Sequence, residues 1–270
     1  MKVFTTFDSS WVCQLLSHVF PGEEILPGTL EESEILFETV YDQMKYIYLK
    51  KWKVAGLLSF EPFNHVHTPY NFVMCGNTEQ CPVSKIVPFC MMDYCSDFGK
   101  NIPNPENISI PPKFACAFVS NPMCDDRNRF MGMLLASKLL DSYGKVYNNI
   151  EQGDLSMGTI ISQYKFYICF ENSSHEAYIT EKPLAALNAH VIPVYYGAHM
   201  EYFNPKRVLI PKDLSDEAFI EIIEKMIAIS LDEDLYKEMV SAPVFVGGRS
   251  LSPNSMESYG ARIRSILEHC

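Results

Sequence analysis

No apolar run in the sequence is long enough to cross a bilayer, and the N-terminal MKVFTTFDSSW has no signal-peptide core. On that basis the chain reads as a soluble, cytoplasmic protein that starts at its own Met1, with no transmembrane segment. Positive charge is scarce. Lys and Arg number 22 against 33 Asp and Glu, a formal net charge of −11, which excludes a general nucleic-acid surface. An anionic ligand would need a local cationic pocket working against that field. The nine cysteines contain no CxxC pair and are odd in number, so they read as reduced, mostly buried thiols and not as a disulfide framework. Cys75, Cys81, Cys90 and Cys95 cluster without a common zinc spacing, and His65 and His67 have no obvious third ligand. No D-x-D stands at a strand end, since Asp232-Glu233-Asp234 lies in a charged run after a helix. No metal site is therefore expected. No internal repeat is visible.

What is present is a globular composition, 47% hydrophobic and 20% charged over 270 residues, enough for one large domain or two small ones with real cores. Short apolar runs predict strands at Lys2–Phe7, Ile35–Val40, Lys45–Leu49, Val54–Phe60, Asn71–Cys75 and Ile86–Phe89, with a helix over Trp11–Phe20. Residues 99–113, GKNIPNPENISIPPK, hold four prolines and a glycine and read as a linker. The expected division is 1–105 and 106–270, with a final helix, Met256–Glu268, that could cross back to the first domain. The second half predicts a strand at Phe114–Val119, a helix over Arg127–Leu140 capped by Asp125 or Asp126, a strand at Lys145–Ile150, a short strand at Val208–Ile210 and an amphipathic helix over Asp216–Ser230.

The most informative stretch is 164–197, YKFYICFENSSHEAYITEKPLAALNAHVIPVYYG. An apolar strand, Lys165–Phe170, leads into a polar loop, Glu171–Tyr178. A helical segment, Thr180–His190, then precedes a second apolar strand, Val191–Tyr196. This is the crossover unit of a parallel sheet, whose ligands bind beyond the carboxyl ends of the strands. Thr180 suits an N-cap, which places Glu181, Lys182 and Pro183 in the first turn. A lysine there runs against the helix dipole, so Lys182 is expected to face an anion from outside the chain.

The run FENSxxxxYITEK, an apolar helix and VIPVYYG resembles the donor-binding signature of the α-1,3/4-fucosyltransferases, glycosyltransferase family 10. SNPMCDDRNRF, residues 120–130, resembles the family's second motif, in which an arginine meets the donor diphosphate. The resemblance is specific over residues 114–210 and rests only on position before them. It implies an α/β protein of GT-B architecture, with two Rossmann-like doubly wound domains facing an interdomain cleft. It implies GDP-fucose as donor, a glycan as acceptor and inversion at the anomeric carbon. Residue by residue, Arg127, Asn172, Tyr178, Glu181 and Lys182 fall on donor contacts. Arg127 competes locally with Arg129, and Pro183 departs from the aliphatic or aromatic residue common in relatives.

Glu61, in GLLSFEPFNH, is the candidate general base, because it ends a strand of the first domain and inverting transfer needs a carboxylate to take the acceptor proton. Asp8, Glu38 and Asp93 are its competitors. No cofactor is required on this reading, and Mn or Mg would be at most stimulatory. The rivals are a GT-B transferase using another nucleotide sugar, a nucleotide-sugar-binding protein without catalysis, and a glycan-binding module.

Overall fold

The computed structural model describes residues 1–61, 69–76, 85–90, 94, 102–173, 175, 177–248 and 255–269. The expectations for His65, His67, Cys81, Asp93, Cys95 and Cys270 lie outside these residues. The chain forms two compact units, one of Met1–Tyr94, His175–Tyr178 and Ser252–Cys270, the other of Cys95–Ser174 and Ile179–Leu251.

In the first unit six strands pair in parallel in the order β2-β1-β3-β4-β5-β6. They are β1 (Lys2–Thr5), β2 (Leu26–Pro27), β3 (Ile35–Thr39), β4 (Val54–Ser59), β5 (Phe72–Cys75) and β6 (Ile86–Pro88). Side-chain alternation divides the buried residues between two faces, as the pleat requires. Val3, Ile35, Phe37, Leu58, Phe72 and Met74 share one core with α1 (Ser9–Val19) and with the chain's last helix, Met256–Glu268. Leu36, Ala55, Leu57, Val73 and Cys75 form the other. Asp8 caps α1, accepting from the Ser10 and Trp11 N–H groups at 2.9 and 3.2 Å.

The strand expected at Lys45–Leu49 is not formed. That segment is a string of turns, with Met44 at φ 69°, and Tyr46, Ile47 and Trp52 pack onto the second face. The cause is a buried carboxylate. Glu38 on β3 accepts the Tyr46 N–H at 2.8 Å and the Tyr70 hydroxyl, whose oxygen in turn accepts the Met44 N–H at 2.9 Å. Backbone groups that a strand would need for pairing are used in holding the segment down.

In the second unit four parallel strands run β10-β9-β7-β8: β7 (Lys113–Ala117), β8 (Leu140–Ser142), β9 (Tyr164–Ile168) and β10 (Ile192–Val194). Helices α2 (Asp125–Ala136), α3 (Met157–Ile161), α4 (Lys182–Asn188), α5 (Asp216–Leu231) and α6 (Glu233–Ser241) accompany them, and α7 is the terminal Met256–Glu268. Ala115, Ala117, Phe166, Ile168, Ile192 and Val194 bury one sheet face against Phe130, Leu134, Phe219 and Met226.

The helix expected over Arg127–Leu140 stops at Ala136. Lys138 adopts φ 57°, and the Lys138 and Leu139 N–H groups close back onto the Leu135 and Leu134 carbonyls, both at 2.9 Å. This is a Schellman ending with lysine in the left-handed position glycine normally takes. It frees Leu140–Ser142 to be the strand, where Lys145–Ile150 was expected. Asp125 and Asp126 lie in the first turn of α2, and the N-cap is Cys124, without a side-chain cap bond. Val208–Ile210 contributes only a bridge, Leu209 to Val194.

Candidate active site

The carboxyl ends of β7, β9 and β10 open onto a cavity of about 300 Å³ lined by Met123–Asp126, Phe170–Ser173, Tyr196 and Leu214. The loop after β9 builds much of it. Glu171 sits three residues past the strand, fixed by its N–H donating to the Tyr196 carbonyl at 2.9 Å, and its side chain is fully buried. The carboxylate accepts the Thr180 N–H at 2.7 Å, the Thr180 hydroxyl at about 3 Å and the Lys182 ammonium at 2.7 Å. Burial pushes its carboxyl above the ordinary range, and Lys182 and the Thr180 donors pull the other way. Gly197 is required beside it, since a Cβ there would lie 2.5 Å from the Tyr195 hydroxyl and 2.7 Å from Glu171 Cγ.

Lys182 therefore has an anion within the chain, Glu171, in addition to the external one that the sequence leads us to expect. The helix-start reading shifts. The N-cap of α4 is Glu181, at φ −67° and ψ −11°, while the Thr180 hydroxyl reaches the Lys182 N–H at 3.4 Å. The Lys182 side chain keeps 17% of its surface exposed, and its ammonium has three donors, of which Glu171 and Thr180 take two, the second at 3.1 Å. Glu181 is exposed at the head of the helix.

Arg127, on the first turn of α2, is buried, with 1% of its surface exposed. Its guanidinium donates to the Asn172 side-chain oxygen and to the Asn121 carbonyl, and at 3.4 Å to Asn128. Asn172 lines the cavity, so the arginine lies one hydrogen bond behind its wall. The competitor Arg129 is tied to two residues of the same cavity wall, donating to the Leu214 carbonyl and pairing with Asp126 at 3.2 Å, and it also pairs with Asp216 at 3.0 Å. The Ser173 hydroxyl, also at the cavity, is buried and has no hydrogen-bond partner among the described residues. Buried polar groups are rarely left so, and a ligand in the cavity would satisfy it.

The structure thus brings Arg127, Asn172 and Lys182 together around Glu171 and puts Glu181 at the adjoining helix start. Tyr178 belongs to the first unit. It is buried, and His175–Tyr178 pack with the first unit, where the Ala177 N–H donates to the Gly76 carbonyl at 3.1 Å. Glu171 was the site residue passed over in choosing donor contacts. Its signal was available, an acid directly after an apolar strand and eleven residues before a lysine.

In the first unit Glu61 follows β4 by two residues, at the carboxyl edge of the six-stranded sheet. Its N–H donates to Ser59 Oγ at 3.2 Å, and the Ser59 hydroxyl donates back to the Glu61 carbonyl at 3.1 Å. The Tyr41 hydroxyl donates to Glu61 Oε1 at 3.2 Å. Two competitors are occupied structurally: Glu38 is the buried acid described above, and Asp8 caps α1 while accepting the Tyr94 hydroxyl at 3.2 Å. Among the described residues no group of three His, Cys, Asp or Glu side chains could hold a metal ion, and no helix is long and apolar enough to cross a membrane.

Two α/β units with parallel sheets, one with a polar cavity at its strand ends, have the GT-B fold, and solved structures carry the same fold. An α1,3-fucosyltransferase superposes with a TM-score of 0.68 at 19% identity, covering 99% of this chain and 90% of that one. The same enzyme class solved with GDP-fucose gives 0.66, also at 19% identity and with the same coverage.

Residues 110–239 match the model of glycosyltransferase family 10 (fucosyltransferase), C-terminal. An α-(1,3)-fucosyltransferase of Helicobacter pylori is 31% identical over 139 residues, 51% of this chain and 29% of the relative. A human 3-galactosyl-N-acetylglucosaminide 4-α-L-fucosyltransferase is 36% identical over 120 residues, 44% of this chain and 31% of the relative. Over this region the chain is similar to the C-terminal part of glycosyltransferase family 10. It matches about a third of the length of these curated relatives.

Proposed function

We propose that the chain transfers L-fucose from GDP-fucose to a glycan hydroxyl, with inversion at the anomeric carbon. The observation that carries this reading is the strand-end cavity of the second unit, with Asn172 and the Ser173 hydroxyl, unpartnered among the described residues, in its wall and Arg127 and Lys182 around it. Two family relatives in solved structures are described with GDP and with GDP-fucose. The remaining Lys182 donor and the Arg127 charge behind Asn172 suit a diphosphate, whose negative charge grows as it leaves. Glu181 at the helix head suits sugar hydroxyls, and Tyr178 offers a ring and one hydroxyl to the donor.

Glu61 takes the proton of the acceptor hydroxyl as that oxygen attacks the anomeric carbon and the bond to GDP breaks. No metal is needed for these steps, and Mn or Mg would only add to the neutralisation of the diphosphate. The acceptor is an N-acetylglucosamine or glucose-type residue fucosylated through α-1,3 or α-1,4 linkage.

Calorimetric titration with GDP and UDP tests the donor assignment. GDP is expected to bind at least ~10-fold more tightly, and Lys182→Gln to weaken GDP by a further ~10-fold, the equivalent of one lost charge-assisted bond. Glu61→Gln should leave GDP affinity unchanged and remove turnover. Equal affinity for the two nucleotides would contradict the guanine reading, and turnover surviving in Glu61→Gln would remove Glu61 from its role.

A further inference from the structure

Two tyrosines of the first unit's turn segment are exposed, Tyr41 and Tyr48 at 69%, and of these Tyr41 is the one whose hydroxyl meets Glu61. Tyr46 and Tyr70 are packed into the sheet face, whereas Tyr41 leaves 77% of its surface in solvent. It lies in the short helical turn Val40–Asp42, directly after β3, and its hydroxyl donates to Glu61 Oε1. The turn is not loosely held. The Gln43 N–H closes on the Val40 carbonyl at 3.4 Å, the Lys45 N–H on Asp42 at 3.0 Å, and the Met44 N–H on the Tyr70 hydroxyl at 2.9 Å. Tyr70 is itself anchored on buried Glu38. A rigid turn thus presents an aromatic ring to water with its hydroxyl on the candidate base.

An exposed ring beside a carboxylate has a specific chemical use. The ring face accepts the C–H face of a pyranose, and the carboxylate meets a hydroxyl at that sugar's edge. We propose that Tyr41 has both tasks: it orients the Glu61 carboxylate by donating its hydroxyl to one oxygen, leaving the other to accept the acceptor's proton, and its ring seats the acceptor saccharide. In the first task Tyr41 is a positioning residue acting through Glu61; in the second it touches substrate. The inference rests on the reading of Glu61 as general base.

The two tasks separate in two variants. Tyr41→Phe keeps the ring and removes the hydroxyl. Tyr41→Leu removes both. With N-acetyllactosamine as acceptor, Tyr41→Phe is expected to lower kcat by ~5–10-fold with acceptor KM within about twofold of the unmodified chain, the loss of one hydrogen bond that matters in the transition state. Tyr41→Leu is expected to lower kcat equally and to raise acceptor KM by a further ~5–10-fold, the loss of one stacking face. GDP affinity should be unchanged in both.

The hydroxyl's contribution is read independently of any glycan from the slow hydrolysis of GDP-fucose by water, which Tyr41→Phe should lower by the same factor. Glu61→Gln is measured alongside. If it is inactive while Tyr41→Phe turns over like the unmodified chain, the positioning task is refuted and the base reading stands. If Tyr41→Leu has the acceptor KM of Tyr41→Phe, the seating task is refuted. If Glu61→Gln is active, the base reading itself fails, and this inference with it.

Discussion

At the scale of single residues, two buried glutamates show how far chemistry can be read before coordinates. Glu171 and Glu38 stand next to or within apolar strands, where an acid is unexpected. The strand pattern made both visible, but not their partners. Glu38 recruits Tyr46 and Tyr70 from eight and 32 residues away, and Glu171 recruits Lys182 from eleven. Such pairings depend on where loops return, which local periodicity does not encode. Lys182 stands out in the sequence as a lysine at a helix start, and Glu171 as an acid after an apolar strand, but their pairing does not.

Both carboxyls are raised above their ordinary value of 4.5, in each case chiefly by burial. A native state that holds a proton more tightly than the unfolded chain is favoured at low pH. The contribution of each acid is fully present below about pH 4.5 and is lost as pH rises through the raised native value. Urea midpoints measured from about pH 4.5 to 7 should therefore fall, and Glu38→Gln, which is always neutral, should flatten the fall. An unchanged slope in Glu38→Gln would assign the decline elsewhere.

At the scale of elements, apolar periodicity located most helices, while the caps expected at Thr180 and at Asp125 or Asp126 gave way to Glu181 and Cys124. Ser215 and Ser255 cap α5 and α7 through the Ala218 and Ser258 N–H groups, at 3.2 and 3.1 Å, and the apolar spacing of both helices was legible. The failures have local physical causes. Helix α2 ends where a lysine enters the left-handed region, with no glycine to signal it. The turns at 40–53 carry strand-like residues because they cover a sheet face, which demands apolar side chains without requiring pairing. Lys138→Gly should relieve the strained φ of 57° and raise stability by about 0.5–1 kcal/mol, read as a higher urea midpoint at unchanged m. A lower midpoint would mean the unfolded-state entropy of glycine outweighs the relief.

At the scale of the whole molecule, the alternation of strands and helices made parallel sheets legible in both halves, and the 164–197 motif pointed to the family. Strand order and the composition of the units were less accessible, because each unit gathers distant segments. Helix α7 ends the chain yet packs on α1 in the first unit. Gly260 lets the two backbones approach, a Cβ there falling 2.4 Å from His18 Cβ, and Arg264 donates to the His18 carbonyl at 2.7 Å. The amphipathic face of α7 was visible in sequence, but not the partner it covers. Ile263 is fully buried in that contact, so Ile263→Ala should cost about 2–5 kcal/mol, measured by urea unfolding. A loss below about 0.5 kcal/mol, the level of a surface substitution, would contradict the packing assigned to α7.

The central claim is that this chain carries fucosyl transfer and not donor binding alone. Its most direct test is release of GDP from GDP-fucose by the purified chain, with and without N-acetyllactosamine and a panel of related mono- and disaccharides. The account predicts acceptor-dependent release that disappears in Glu61→Gln while GDP still binds. GDP binding with no release under any acceptor, or release that Glu61→Gln retains, would contradict it.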